Sequence, residues 1–158
     1  MKDISIPKIK ANQIISSLGI SSPEHLKYLN EMCIELGAKV EYDIISGSEG
    51  RLVSLGDSAI ITVPADEKYA GRTRFSIAHE LGHFTLHRQN SSFFLCTQQD
   101  LYRGWNETVE REANEFAAEL LLPSFMVKAE IKREVPSFEM AKGLASQFST
   151  SLMPAVFK

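Results

Sequence analysis

Two cysteines in 158 residues are too few for a disulfide framework. Cys33 and Cys96 lie far apart without CxxC spacing, so no cysteine zinc site follows from them, and Cys33 reads as a buried thiol. No apolar run approaches the roughly 18 residues that suggest a membrane span, and the opening segment MKDISIPKIK lacks the apolar core of a signal peptide. The expectation is a cytoplasmic protein with no membrane partner. An excess of positive charge is lacking as well: 17 Lys+Arg stand against 20 Asp+Glu, a formal charge of -3, and no basic run tracks a phosphate backbone. Direct nucleic-acid binding is therefore not expected. Repeats and low-complexity segments are missing, and 158 residues with 44% hydrophobic content suffice for one core but not for two. Residues 1–158 read as a single domain.

What is present is an α+β pattern. Apolar residues recur at helical spacing over 8–18 and 23–37, the second stretch opening with Ser22-Pro23-Glu24, a cap followed by proline in the first turn. From Lys39 to Pro64 the pattern changes to short β-rich runs, Val40 to Ser46, Arg51 to Leu55 and Ser58 to Val63, separated by Gly47, Gly50 and Gly56-Asp57. They predict a small antiparallel sheet packed on helices. Helical periodicity returns from Arg74 to His87 and from Thr108 to Leu122, where Pro123 stops it. Further helices are expected at 124–134 and 137–147, with Pro136 between them. The irregular stretch from Gln89 to Gly104 reads as a connector, with a lid or partner surface as the alternative.

The chemistry concentrates in His79-Glu80-Leu81-Gly82-His83. At about 100° per residue, histidines four apart fall within about 40° of each other on one helix face, so both rings can reach one metal ion. Glu80 lies about 60° from His83 around the same helix, where its carboxylate can accept a proton from metal-bound water. Chance placement would give the motif roughly once in a hundred such chains, which leaves two solvated histidines on a surface helix as the competing explanation.

A catalytic zinc site takes three protein ligands and leaves one position for water, so a third ligand must come from elsewhere. On the second strong helix, Ala113, Phe116, Ala117, Leu120 and Leu121 form an apolar stripe. Glu110 projects one turn before Ala113 along its edge, whereas Glu115 and Glu119 read as outward-facing. Asn114, one turn beyond Glu110, can accept the free ring N–H of a ligand histidine. Glu112 competes with Glu110 for the metal, the alternative for either being surface charge near a helix N-terminus. His87 continues the series 79, 83, 87, but about two turns separate it from His79, and it reads as a helix-end residue. The longer metzincin signature needs Gly and His at 86 and 89, where this chain has Leu86 and Gln89, so that group is excluded.

The run from Arg72 through Arg74 to His83, RxRFxxAHELGH, followed by the run from Glu110 to Pro123, ExEANxFAAxLLxP, resembles the ImmA/IrrE family of metallopeptidases. The likeness covers about residues 25–125 of the sequence. It implies a zincin-like fold with the HExxH helix at its centre and a gluzincin-like site, with His79, His83 and Glu110 as metal ligands and Glu80 as general base. Family members are bacterial or carried on mobile elements and phages. Those understood cleave or inactivate helix-turn-helix transcriptional repressors, so the resemblance implies such a protein as substrate or partner. Some relatives carry a helix-turn-helix ahead of the protease. Here about twenty residues precede the first matched helix, so a separate partner is expected. At the other end relatives continue through a segment like FxVSxxA, whereas this chain reads Phe148-Ser-Thr-Ser-Leu-Met-Pro-Ala.

The reaction expected is zinc-dependent peptide hydrolysis, with Mn²⁺ as an alternative ion for the same N/O ligands. Ser58 to Val63 reads either as an edge strand on which an extended substrate lies or as an ordinary core strand. No residue is assigned as oxyanion stabiliser, although Tyr102 and Arg103, in the irregular stretch between the two metal helices, could approach the site, and Arg72 and Arg74 read as anchors of the helix start. The rival function is a regulator that keeps the metal fold but acts by binding a repressor or toxin without cleaving it.

Overall fold

The computed structural model describes residues 5–45, 49–65, 70–88, 106–131 and 135–151. Pro7 sits in the first turn of helix α1 (Ile6–Ser17), where its missing N–H has no partner to lose, and the helix buries Ala11, Ile14 and Ile15. The stretch read as one helix over 23–37 divides into a 3₁₀ turn at Pro23–Lys27 and helix α2 (Leu29–Glu35). The division falls at Tyr28, whose ψ of 46° leaves the helical region.

Gly37 then turns the chain into strand β1 (Ala38–Asp43). Its φ is 89°, and a Cβ there would lie 2.4 Å from the Asp57 carbonyl oxygen, so only glycine fits. Strands β2 (Arg51–Leu55) and β3 (Ser58–Pro64) form an antiparallel hairpin across Gly56-Asp57, while β1 runs parallel to β3, giving the order β1-β3-β2. The sheet is therefore mixed, not antiparallel as the turn signals suggest. Those signals report the hairpin but carry no information on which strand β1 pairs with or in which direction. The same order corrects the edge-strand option for Ser58 to Val63, since β3 is central and the edges belong to β1 and β2.

Leu52, Ala59, Ile61 and Val63 point from the sheet into the core, where helix α3 (Ala70–His87) contributes Ile77, Ala78, Leu81 and Phe84. The start of α3 is tied down as its arginines suggest. Arg74 donates to the carbonyls of Leu26 at 2.6 Å and Lys27 at 3.3 Å, and Arg72 pairs with Glu49. Against Gly71 in the same turn lies the backbone of Thr150 and Ser151, close enough that a Cβ would meet the Ser151 nitrogen at 2.9 Å.

Helix α4 (Asn106–Leu121) crosses α3 at Gly82, where a Cβ would sit 3.0 Å from Phe116 Cδ1 and 3.2 Å from the Ala113 carbonyl oxygen. Ala113, Phe116, Ala117, Leu120 and Leu121 are all buried, as their spacing predicts. Glu119 is not outward-facing. It is buried, and it accepts from the Ser124 N–H at 3.0 Å, the Ser124 hydroxyl at 2.7 Å and Asn12 Nδ2 at 3.1 Å. This carboxylate joins the end of α4 to helix α5 (Ser124–Glu130) and to α1, and the polar partners that permit its burial come from other elements, invisible to periodicity. Ser5 adds a second tie between α1 and α4 by donating to Glu115 at 2.7 Å. Helix α6 (Phe138–Gln147) completes the described fold and buries Ala141 and Leu144. Among the described residues no helix is long and apolar enough to cross a membrane.

The crossing gives a stability test. Gly82→Ala should lower the unfolding free energy by ~1–3 kcal/mol in urea titrations, because the new methyl presses on Phe116 and on backbone. Gly143→Ala in α6, where nothing lies within 4 Å, should be neutral or stabilising by up to ~1 kcal/mol.

Candidate metal centre

The approach at Gly82 brings one turn of α3 against one turn of α4, and three donor side chains meet there. His79 Nε2 and His83 Nε2 lie 3.0 Å apart, and Glu110 places Oε2 3.1 Å from the first and Oε1 3.1 Å from the second. Tetrahedral bonds of about 2.0–2.1 Å put neighbouring donors roughly 3.3 Å apart, so this set fits one ion. Two imidazoles and a carboxylate are also the donor types that a borderline divalent ion accepts. His83 is fully buried while His79 and Glu110 keep partial exposure, which leaves the cluster open on one side.

The charges follow from this packing. Burial pushes the Glu110 carboxyl upward, but hydrogen bonds and charge from His79 and His83 outweigh it and hold the group well below the usual carboxylate range. Burial also disfavours charge on both imidazoles. For His79 the hydrogen bond it donates to Glu110, the charges of Glu80 and Glu110, and Asn114 overcome it, so its pKa is raised. For His83 burial prevails, helped by the charges of His79 and His87, and its pKa is lowered.

Asn114 Oδ1 lies 2.9 Å from His79 Nδ1, on the ring nitrogen that faces away from the cluster. Glu112 does not join the donors; it sits 2.9 Å from His87 Nε2, and His87 Nδ1 lies 3.2 Å from His83 Nδ1. His87 is thus a buried neighbour of His83 and not merely a helix-end residue. Glu80, 3% exposed, packs against Gly50 at the entry to β2, where a Cβ would come within 3.0 Å of its Oε1. Sequence reasoning missed the His87–Glu112 pair although its signal was present, since His87 follows His83 by one turn on the same face. Gly50 reads in sequence only as a strand separator. Tyr102, Arg103 and the stretch from Gln89 to Gly104 lie outside the described residues.

Two outcomes are expected of this cluster. Elemental analysis of the purified chain should find about one divalent metal per chain, lost in His79→Ala and in Glu110→Ala. Because ligation needs neutral imidazoles and the His79 pKa is raised, zinc uptake should release more protons near about pH 6 than near about pH 8, read by titration calorimetry in buffers of different ionisation enthalpy.

The family model Peptidase_M78, described as the IrrE N-terminal-like domain, matches residues 33–157. Among solved structures, a chain described as a Mycobacterium tuberculosis transcriptional regulator superposes with a TM-score of 0.62 at 20% sequence identity, over 96% of this chain and 45% of that one. The present chain thus spans less than half of that protein. No curated protein matches the sequence.

Proposed function

The chain belongs to the Peptidase_M78 family of IrrE N-terminal-like metallopeptidases, and from that premise we propose that it is a zinc-dependent endopeptidase whose substrate is a helix-turn-helix repressor-type protein. The observation that carries the reading is the convergence of His79, His83 and Glu110 on one point, with the Glu80 carboxylate one residue along the same helix. Three donors leave a coordination position open, as catalysis requires and a purely structural site does not. Zinc suits the donor set best, with manganese the alternative.

A divalent ion bound there supplies Lewis acidity, which acidifies water and polarises a peptide carbonyl. Glu80 is the general base: it takes a proton from the attacking water and returns it to the departing amine. Its burial, and the bare backbone of Gly50 against its Oε1, restrict the positions its carboxylate can occupy. Asn114 holds the ring of His79 by its Nδ1. An extended substrate fits best along β2, an edge of the described sheet that begins beside Gly50 and hence beside Glu80. The small net charge supports a protein substrate over direct action on nucleic acid, and the description of the mycobacterial chain as a transcriptional regulator supports a regulatory setting.

The test is a cleavage assay on candidate helix-turn-helix repressor-type proteins from the same genome. Glu80→Gln should keep its metal and lose activity by about 10²–10⁴-fold. A Glu80→Gln protein that inactivates the repressor as well as the wild type, with no fragments formed, would replace this reading with that of a binding regulator.

A further inference from the structure

His87 closes α3 inside the core at 4% exposure, outside the donor set itself, and its ring makes two contacts that bear on that set. Nδ1 faces His83 Nδ1 at 3.2 Å, and Nε2 faces Glu112 Oε2 at 2.9 Å. A neutral imidazole carries one N–H and one lone pair. With Nε2 of His83 turned to the ion, its proton must be on Nδ1. Two N–H groups cannot face each other, so His87 Nδ1 accepts that proton's hydrogen bond, and the His87 proton resides on Nε2, where it donates to Glu112.

We infer that His87 and Glu112 are positioning residues for the metal site, forming a directed chain from a carboxylate through one imidazole to the Nδ1–H of His83. The chain fixes the tautomer of His83, holds its ring plane, and passes the electron density of Glu112 toward the ligating nitrogen. It divides the acidic pair on α4 by role, Glu110 meeting the ion directly and Glu112 acting from two bonds behind it. It also gives a role to a polar ring at the core-facing end of α3, where it meets His83 on one side and Glu112 on the other. The inference rests on the metallopeptidase reading only in taking an ion at His83 Nε2.

The experiment is zinc titration of the metal-free full chain against a competing chelator, for wild type, His87→Leu, His87→Asn and Glu112→Leu, beside thermal unfolding of each metal-free protein. His87→Leu should weaken zinc by about 10- to 100-fold, and Glu112→Leu by about 10-fold. His87→Asn, whose side-chain oxygen can still accept from His83, should recover part of the loss. Zinc affinities equal to wild type in all three, whatever their unfolding temperatures, would reduce the pair to a packing role and overturn the inference. Ring ¹⁵N spectra of the zinc-loaded wild type test it without substitution: His87 protonated at Nε2 supports the chain, and His87 protonated at Nδ1 overturns it. A wild type that takes up no metal would overturn the parent reading and this inference together.

Discussion

The separation between α3 and α4 at Gly82 is the constraint on which the site depends. With no side chain at that position, Phe116 and the Ala113 backbone come into direct contact with the metal helix, and the small Ala113 and Ala117 keep the interface shallow. Only at this distance do two histidines from one helix and a glutamate from the other meet within about 3 Å. Interiors pack densely enough that added volume moves the helices apart, and donor geometry shifts with them. The glycine of HELGH thus serves the ligands on either side of it through packing alone.

The fold must also tolerate a dense polar cluster at that interface. Two imidazoles and a carboxylate brought together would be unfavourable if left without partners. Each is provided for: Asn114 on His79, His87 on His83, and both rings on Glu110. Glu119 repeats the logic further along α4, where a carboxylate that helical spacing would put in water is enclosed by Ser124 and Asn12. The apolar stripe of α4 is therefore bordered by carboxylates with different tasks, one at the donor cluster, one behind it and one fastening the helices.

Much of this was legible in the residues. Apolar spacing and the stops at glycine and proline gave the strands and most helices to within a few positions, because these signals are local, whereas the division of 23–37 at Tyr28 left no mark in the spacing. The parallel pairing of β1 with β3 was not legible, since strand order and direction are set by tertiary packing and not by local pattern. The donor residues His79, His83 and Glu110 stand at motif spacing, and one helical turn sufficed to bring the histidines together. The choice between Glu110 and Glu112 needed the rotation of α4 about its axis, which tertiary packing sets. Burial of Glu119 and the pairing of Glu112 with His87 escaped for the same reason, as both depend on partners in other elements, Ser124 and Asn12 for the first and α3 for the second.

The backbone of Thr150 and Ser151 rests on Gly71, in the first turn of the helix that carries both histidines. Phe148, two residues earlier, is fully buried. A ribosome releases α3 well before this segment, so during synthesis the opening turn of α3 lacks one of its walls. The metal helix therefore acquires its full packing only after the polypeptide has passed α6, and maturation of the site waits on a segment more than sixty residues beyond its histidines.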